Sequence, residues 1–488
     1  MKNSLKYISM LFMTLFIVSC SESYLDVNED TNSPTLDVLG PELVLPIAQY
    51  WSGEIHNRDR YTNTLGNMMM YNWSQADGYS WYNDEFLYNV TTSFYSIIWD
   101  RTYLNALKQY RVLQTFEGDE YANYRAIGKI MESYHFQILV DIYGDIPYSE
   151  AVLRGDNPAP SYDDAKTVYA GIVAELNAAM SMIDSASDDA IVPDADDLIF
   201  GGSMSDWKLF ANTIKLRVLV RQSGDGALNS EFAGMSNIGF IDEFVTVDPG
   251  YAVVEDQQSP FWNAYGLDTD GNVINNNNAT CATQFILDYL TNTNDNRIDR
   301  LYEEPDTGHL GVPQGILDYD IPVRDQYDPE FVSNLGPGLL KSATQPAVIF
   351  TASDSYFLQA EAILNGNLSG DAKAAYEAGI DASFDYLGAA GASTYYGQNM
   401  DLVGWDASSN KMEAIITQKW LALNGVDAIQ SWFDYSRTGY PSNLPISRLA
   451  STPERPVRLL YPSSEVTANS VNIPSQKNAF TDKIFWAN

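Results

Sequence analysis

The stretch NYRAIGKIMESYHFQILVDIYGDIP, residues 123–147, decides the fold of this chain. An apolar residue recurs at every fourth position, which is the spacing of one face of an α-helix. The apolar positions are Ala126, Ile130, Tyr134 and Ile138. Gly144 and Pro147 follow directly, and both residue types end helices. The stretch therefore predicts a long helix over residues 123–143 that stops at a sharp turn.

The same periodicity predicts helices along most of the chain. In residues 161–186, Ser161 is expected to cap a helix with Asp164 three residues on, and in residues 203–222 the cap is Ser203. Two helices are separated only by a short turn containing glycine, which suggests tetratricopeptide-like helical pairs. The fold class is therefore predicted to be mostly α. Further helices are predicted over 92–114, 282–292, 354–364, 371–387 and 410–424.

Four long segments between the helices are polar and rich in aromatic residues. They comprise residues 60–90, 245–280, 300–345 and 388–409. Long loops in a folded domain are usually functional. We therefore expect the ligand-binding part of the molecule to be irregular and rich in loops.

The charge of the chain limits its partners. Its 488 residues carry a net charge of −36 with a pI near 4.2. Double-stranded nucleic acid is therefore excluded as a partner, because binding phosphates requires a basic surface. Aromatic residues make up 13% of the chain. Some of them are expected to be exposed and to bind a flat apolar face such as a sugar ring; the alternative is that they fill a Tyr-rich helical core.

The first twenty residues have the features of a bacterial lipoprotein signal. Lys2 and Lys6 precede an apolar run that is too short to span a bilayer comfortably. The run ends in Ile17-Val18-Ser19-Cys20, an aliphatic residue, a small serine and then the cysteine that would be acylated. Cys20 is therefore the predicted lipid attachment point, and residues 1–19 are the predicted signal peptide.

No motif of a known catalytic class is present. The chain lacks G-x-S-x-G, H-E-x-x-H, C-x-x-C and a Walker loop. Its three histidines, at positions 56, 135 and 309, are not spaced with one another or with cysteine as a zinc site requires. Cys281 is expected to be a small buried filler. We predict no catalytic residues, although two carboxylates suffice for a glycosidase and composition alone leaves that alternative open.

One oxygen-rich run resembles a calcium loop. Asp268, Asp270 and Asn272 lie at alternate positions around Gly271. A plain turn is the interpretation favoured by this composition. No cofactor or metal is therefore predicted, with a structural calcium ion at this run as the alternative.

Several segments together resemble the SusD/RagB family of Bacteroidetes outer-membrane lipoproteins. The resemblance extends over nearly the whole mature chain and is closest to the SusD-like group with a C-terminal R-x-x-YP segment. Each motif is weak alone, but their order and spacing are specific. The segments are AIGKIMESYHFQILVDIYGDIPYSEA (126–151), PSYDDAKTVYAGIVAELNAA (160–179), DLIFGGSMSDWKLFANTIKLRVLVR (197–221), SYFLQAEAILNG (355–366), ITQKWLALNGVDAIQSWFDYSRTGYP (416–441) and RPVRLLYPSSEVTANSVN (455–472).

The resemblance implies a role as well as a fold. Family members have a tetratricopeptide-like scaffold, are anchored by lipid at the outer membrane facing the cell exterior, and form a lid over a SusC-like TonB-dependent transporter. They bind a nutrient, usually a glycan and sometimes a peptide, and leave its degradation to other enzymes. Ser21-Glu22-Ser23 is similar to the surface-export signal of such lipoproteins. The chain is therefore expected to be a binding protein and not an enzyme.

The expected organisation follows from these observations. Residues 20–40 form a lipidated tether, and residues 41–488 form a single body. Within that body, the helical scaffold is expected over 41–245 and 350–440, the loop-rich ligand-facing part over 246–349, and a C-terminal packing segment over 441–488.

Six loop aromatics are the candidate ligand-binding residues. Sugars stack their C–H faces on aromatic rings, and Asn, Asp and Arg side chains bind their hydroxyl groups. The candidates are Trp73, Tyr79, Trp81 and Tyr82, with Trp262 and Tyr265 opposite. Two alternatives stay open: capture of peptides through the loop backbones, and a surface hydrolase that uses a carboxylate pair.

Overall fold

The computed structural model describes residues 40–153, 157–316 and 324–487. The predicted signal peptide, Cys20 and almost all of the tether lie outside these residues. The α-helices are α1 Pro41–Asn57, α2 Thr62–Met69, α3 Asn83–Leu87, α4 Ser96–Arg101, α5 Lys108–Leu113, α6 Ala122–Tyr143, α7 Ala165–Asp184, α8 Met204–Arg221, α9 Met235–Ile238, α10 Pro260–Tyr265, α11 Asn275–Ala279, α12 Gln284–Asn292, α13 Ile298–Leu301, α14 Ala352–Leu364, α15 Ala372–Leu387, α16 Ala392–Tyr396, α17 Lys411–Leu423, α18 Ala428–Thr438 and α19 Ser463–Ala468.

Short elements complete the fold. A π-helical segment, Thr102–Leu107, joins α4 to α5, and 3₁₀ turns occur at Asp119–Tyr121, Asn229–Phe232 and Arg324–Tyr327. The strands are β1 Trp73–Gln75, β2 Val245–Val247, β3 Thr280–Ala282 and β4 Ala347–Phe350. They form two antiparallel pairs, β1 with β3 and β2 with β4.

Helical pairs form the scaffold. α6 packs along α7, and α14 packs along α15. α7 also packs against α8, and α14 also packs against α17. The prediction of a mostly helical fold built from helical pairs is confirmed, and the helix bounds agree with the predicted ones within a few residues.

Nearly all residues of α6 are buried. α6 has packing helices on two sides, and the C-terminal segment covers its end. The Leu459 N–H donates to Ile142 O at 3.0 Å, and Trp486 Nε1 donates to Asp141 Oδ1 at 2.8 Å. The Arg458 guanidinium donates to Tyr143 O. These contacts explain why Gly144, with φ +80°, must turn the chain away immediately after the helix.

Two details of helix capping differ from the sequence interpretation. The cap of α7 is Asp164, whose carboxylate accepts from the Lys166 N–H at 3.0 Å, so Ser161 lies outside the helix. Ser203 occupies the cap position of α8, but its hydroxyl lies 3.0 Å from the Ser205 hydroxyl and makes no capping bond.

Three of the four segments expected to be loops contain whole α-helices or strands, and residues 388–409 include α16. Residues 60–90 include α2, β1 and α3, and residues 245–280 include β2, α10 and α11. The strands form through long-range pairing, with Trp73 opposite Ala282 and Gln75 opposite Thr280. A strand of three residues is too short to show an alternating pattern, and its partner lies far away in the chain. The sequence pattern therefore could not predict this pairing. Within the described ranges, no helix combines the length and the apolar character needed to cross a membrane.

Candidate functional site

Three of the six predicted aromatics are buried and do not belong to a ligand surface. Trp73, Tyr82 and Tyr265 are each at most 1% exposed. The Trp73 ring packs edge-on against Tyr265, with centroids 5.3 Å apart. The Tyr82 hydroxyl lies 2.8 Å from Thr280 Oγ1. These rings fill the space where β1, β3 and α10 meet, so the prediction that they contact ligand is corrected here.

Tyr79 and Trp81 lie at the surface on the short loop that follows β1. Both are partly exposed, and their rings meet edge-on with centroids 5.2 Å apart. Gln75 holds the loop: its Nε2 donates to Tyr79 O, and its Oε1 accepts from the Trp81 N–H at 2.6 Å. The last residue of β1 therefore determines how this aromatic pair is presented.

Trp262, on α10, is the third partly exposed candidate. Its Nε1 donates to Leu267 O at 3.1 Å. A Cβ atom at position 266 would lie 2.5 Å from the Trp262 ring, so the ring rests directly on the Gly266 backbone. The indole is thus fixed against the turn after α10 while part of it stays open to solvent.

Asp59 and Arg60 connect the two aromatic elements. The Asp59 carboxylate accepts from the Tyr265 hydroxyl at 3.0 Å and from Asn276 Nδ2 at 3.3 Å, which ties it to α10 and α11. Arg60 Nη2 donates to Trp81 O at 2.5 Å, which ties the next residue to the Tyr79–Trp81 loop. Burial raises the pKa of Asp59 above its ordinary value, although Arg60 and the two hydrogen bonds act in the opposite direction.

A polar pocket of about 340 Å³ lies beside α10. Guanidinium, carboxylate and amide groups line it, which are the groups that bind hydroxyls. The lining residues are Arg58, Asp59, Tyr61, Pro260, Asn263, Ala264 and Asn276. We call this pocket, together with Tyr79, Trp81 and Trp262, the candidate surface.

The polar residues of the candidate surface were missed by sequence reasoning. The signal that could have revealed them is Arg58-Asp59-Arg60, two arginines around one acid in a chain with only 28 basic residues. Asn263 and Asn276 carry no such signal, because asparagine is common in this chain and only α10 and α11 bring the two together.

The oxygen-rich run at residues 268–272, for which a plain turn was the favoured interpretation, is a turn closed by its own side chain. The Asp268 carboxylate accepts from the Asp270 and Asn272 backbone N–H groups at 2.9 and 2.8 Å. Asn272 Nδ2 adds a further hydrogen bond at 3.0 Å. Gly271 has φ +84°, as such a turn requires. The Asp268 oxygens thus bond to nitrogen donors of their own loop, as in the plain-turn interpretation.

Two of the three histidines are in the core. His56 and His135 are each 2% exposed. Burial lowers the pKa of His56 to about 4 and that of His135 to about 3, so both are neutral at physiological pH. His135 Nε2 lies 2.8 Å from the Ser52 hydroxyl, and His135 is a packed residue of the core.

A second, more apolar groove of about 370 Å³ lies elsewhere, between the π-helical segment, residues 147–153 and 157–160, and α19. Leu104, 65% exposed, projects into it. Trp99, the largest ring of this groove, is only 4% exposed, so it offers little face to a sugar. The groove shares no residue with the candidate surface.

The chain matches one protein-family model and many solved structures. The family model, described as "Starch-binding associating with outer membrane", covers residues 42–462. A chitin-binding SusD homologue from Flavobacterium johnsoniae is 22% identical with a TM-score of 0.71, over 92% of this chain and 96% of that one. No curated protein sequence matches the chain.

Two further SusD homologues have the same fold. The one from Bacteroides vulgatus is 22% identical with a TM-score of 0.73, over 91% of this chain and 97% of that one. The one from Bacteroides thetaiotaomicron is 23% identical with a TM-score of 0.71, over 92% and 99% of the two chains. At these identities the structural likeness establishes the fold alone.

Proposed function

The chain belongs to the SusD/RagB family of proteins that associate with the outer membrane, and from this premise we propose that it captures an oligosaccharide or polysaccharide at the cell surface. In this proposal Cys20 carries the lipid anchor and the protein faces the cell exterior. It delivers the glycan to a SusC-like TonB-dependent transporter. It acts by non-covalent binding, as members of this family do.

The observation that carries the proposal is the candidate surface. Partly exposed rings of Tyr79, Trp81 and Trp262 lie on two elements that Asp59 and Arg60 hold together. Aromatic faces carry negative charge and attract the C–H groups of a sugar ring. The pocket beside α10 adds Arg58, Asn263 and Asn276, which offer donors and acceptors for hydroxyl groups. The chitin-binding homologue with the same fold supports a glycan as the ligand class.

The experiment is a titration of the chain from Ser21 onward with a panel of soluble polysaccharides and mixed peptides. Isothermal calorimetry gives the affinity, and chromatography of the mixture reports any turnover. We expect a glycan to bind and to remain intact. We also expect Trp81→Ala and Trp262→Ala each to weaken binding at least about tenfold, since truncating an aromatic anchor of a binding site costs on the order of 2 kcal/mol.

The matched control is Trp405→Ala. Trp405 is also partly exposed, but it packs against Tyr376 and Lys411, outside the candidate surface. Its loss should leave glycan affinity unchanged. Equal affinity of all three variants would refute the assignment of the surface. Peptide binding without any glycan response would favour the alternative in which the same surface captures peptides, and turnover would favour a hydrolase.

A further inference from the structure

Asp299, Glu304 and His309 come together at the surface of the loop-rich part. One ligand atom from each side chain lies within 4.8 Å of the other two. His309 Nε2 is 3.0 Å from Asp299 Oδ1. Asp299 belongs to α13, and the other two follow at intervals of five residues. This spacing matches no helix or strand period, which explains why the sequence pattern did not predict the cluster.

The backbone that carries these side chains is held by a neighbouring segment, residues 333–336. The Glu303 N–H donates to Asn334 O at 2.9 Å, and the Ser333 N–H donates to Leu310 O at 2.8 Å. The Gly336 N–H donates to Leu301 O at 2.8 Å. The segment therefore fixes both the end of α13 and the chain around His309, so the cluster rests on a hydrogen-bonded framework.

The imidazole of His309 is oriented by a residue outside the cluster. Its Nδ1 lies 2.9 Å from Ser333 Oγ, and Ser333 is fully buried. Ser333 Oγ also accepts from the Leu310 N–H at 3.2 Å. Because a carboxylate oxygen only accepts hydrogen bonds, Nε2 carries the proton in this geometry and donates it to Asp299. A cation would take the place of that proton, and Nδ1–H could then donate to Ser333 Oγ, which is how metal-ligating histidines are oriented.

The charges of the cluster are unbalanced. The cluster contains two carboxylates, and the chain as a whole is strongly acidic. Within the described ranges neither Asp299 nor Glu304 forms an ion pair with Lys or Arg, and the neighbouring Arg300 Nε instead donates to Leu387 O at 2.8 Å. A divalent cation would neutralise the cluster.

We propose that Asp299, Glu304 and His309 form a binding site for one divalent cation of the zinc class. One imidazole and two carboxylates are ligands that suit Zn²⁺ or Co²⁺, whereas Ca²⁺ and Mg²⁺ prefer oxygen ligands alone. Zinc binds these atoms at about 2.0–2.2 Å. Both carboxylates are exposed and can close onto the ion while Ser333 keeps the imidazole in place. Three protein ligands leave an open position for water or another ligand.

The test uses the chain from Ser21 onward without a histidine tag, stripped of metal by EDTA and dialysed. Calorimetry with ZnCl₂ should give one site per chain, and CoCl₂ should produce visible absorption bands of a low-symmetry site. Since the other two histidines are buried, an imidazole-dependent site can be formed only by His309. His309→Gln and Asp299→Asn should each weaken zinc binding at least about tenfold, because even the loss of an outer-shell partner costs 10–100-fold.

The matched control is Asp306→Asn, an exposed acid of the same segment that is not part of the cluster. It should bind zinc like the parent protein, and thermal melts without metal should show that all variants are folded. The proposal is overturned if no heat is released, if His309→Gln binds zinc as tightly as the parent, or if Ca²⁺ binds more tightly than Zn²⁺. None of these readouts depends on a glycan, so the result is independent of the proposed function.

Discussion

Arg217 on α8 and Asp354 on α14 form a fully buried ion pair. Arg217 Nη2 and Nε lie 2.6 and 3.0 Å from Asp354 Oδ2, and neither side chain is exposed. Lys419 on α17 approaches the other oxygen of Asp354 at 2.5 Å. Burial opposes the charged form of Asp354, but Lys419 and Arg217 outweigh it and lower its pKa. The carboxylate thus joins α8, in the first part of the scaffold, to α14 and α17 in the second.

Replacing Asp354 by Asn should destabilise the protein strongly. The change leaves Arg217 and Lys419 buried without this counter-charge, and breaking a buried ion pair costs about 3–5 kcal/mol. Urea unfolding followed by circular dichroism measures the change in free energy. Asp184→Asn is the control, because it removes the surface partner of Lys208 at 2.6 Å and should cost less than about 1 kcal/mol. Similar small losses in both variants would contradict this account.

The buried His135 should make the protein less stable in acid. Its pKa is lowered by burial from 6.5 to about 3 in the folded state, so the unfolded chain takes up this proton first as the pH falls. The stability that neutral His135 contributes is therefore fully present above about pH 6.5 and is lost as the pH falls toward 3. Each pH unit in this window removes about 1.4 kcal/mol.

The comparison with His135→Gln isolates this effect, because the two proteins share all other titrating groups. The variant is expected to be less stable than the parent at pH 7. Between pH 6.5 and pH 4 the stability difference should shrink by about 3 kcal/mol. Unfolding free energies measured at both pH values check the prediction, and a difference independent of pH would show that His135 binds its proton as readily in the folded protein as in the unfolded chain.

Trp73 and Trp81 are separated by eight residues but should respond very differently to truncation. Trp73 is fully buried, so Trp73→Ala should cost about 3–5 kcal/mol of stability. Trp81 is partly exposed, and Trp81→Ala should cost less than about 1 kcal/mol. Thermal or urea unfolding measures both. If Trp73→Ala were as mild as Trp81→Ala, the Trp73 ring would have to be accessible in solution.

Cys281 should be unreactive until the protein unfolds. It is fully buried, and burial raises the pKa of its thiol, so the reactive thiolate is scarce in the folded state. In the chain from Ser21 onward it is the only thiol. Ellman's reagent should therefore detect almost none in buffer and one per chain in urea. Rapid labelling of the native protein would place Cys281 at the surface.

Gly144 and Gly78 both have positive φ, but only the first is confined. A Cβ atom on Gly144 would lie 3.2 Å from Arg458 Nη1, while nothing lies within 4 Å of one on Gly78. Gly144→Ala should therefore cost at least about 1 kcal/mol more than Gly78→Ala, which reports a positive φ without a steric contact; the combination of φ +80° and ψ −116° at Gly144 is also one that side chains rarely adopt. Urea unfolding compares the two variants. Equal losses would mean that Arg458 moves aside freely.

The helical fold could be predicted from the sequence because its signal is local. The four-residue repeat before Gly144 predicted α6, and similar repeats predicted the other scaffold helices within a few residues. The order and spacing of the six quoted segments also indicated the SusD/RagB family, which the family match confirms. Periodicity and chain-terminating residues act over a few turns, so they can be read without the tertiary structure.

The surface aromatics could be told from the core aromatics only by the tertiary structure. Trp73 and Trp81 have similar polar and aromatic neighbours in sequence, but the pairing of β1 with β3 turns the first ring inward, while Gln75 holds the second outward. The neighbours of Asp59 are 206 and 217 residues away in the chain. Asp299, Glu304 and His309 likewise meet only because residues 333–336 hold their backbones together. Contacts between distant segments carry no periodic signal in one sequence, so exposure and the make-up of the candidate sites were decided by packing.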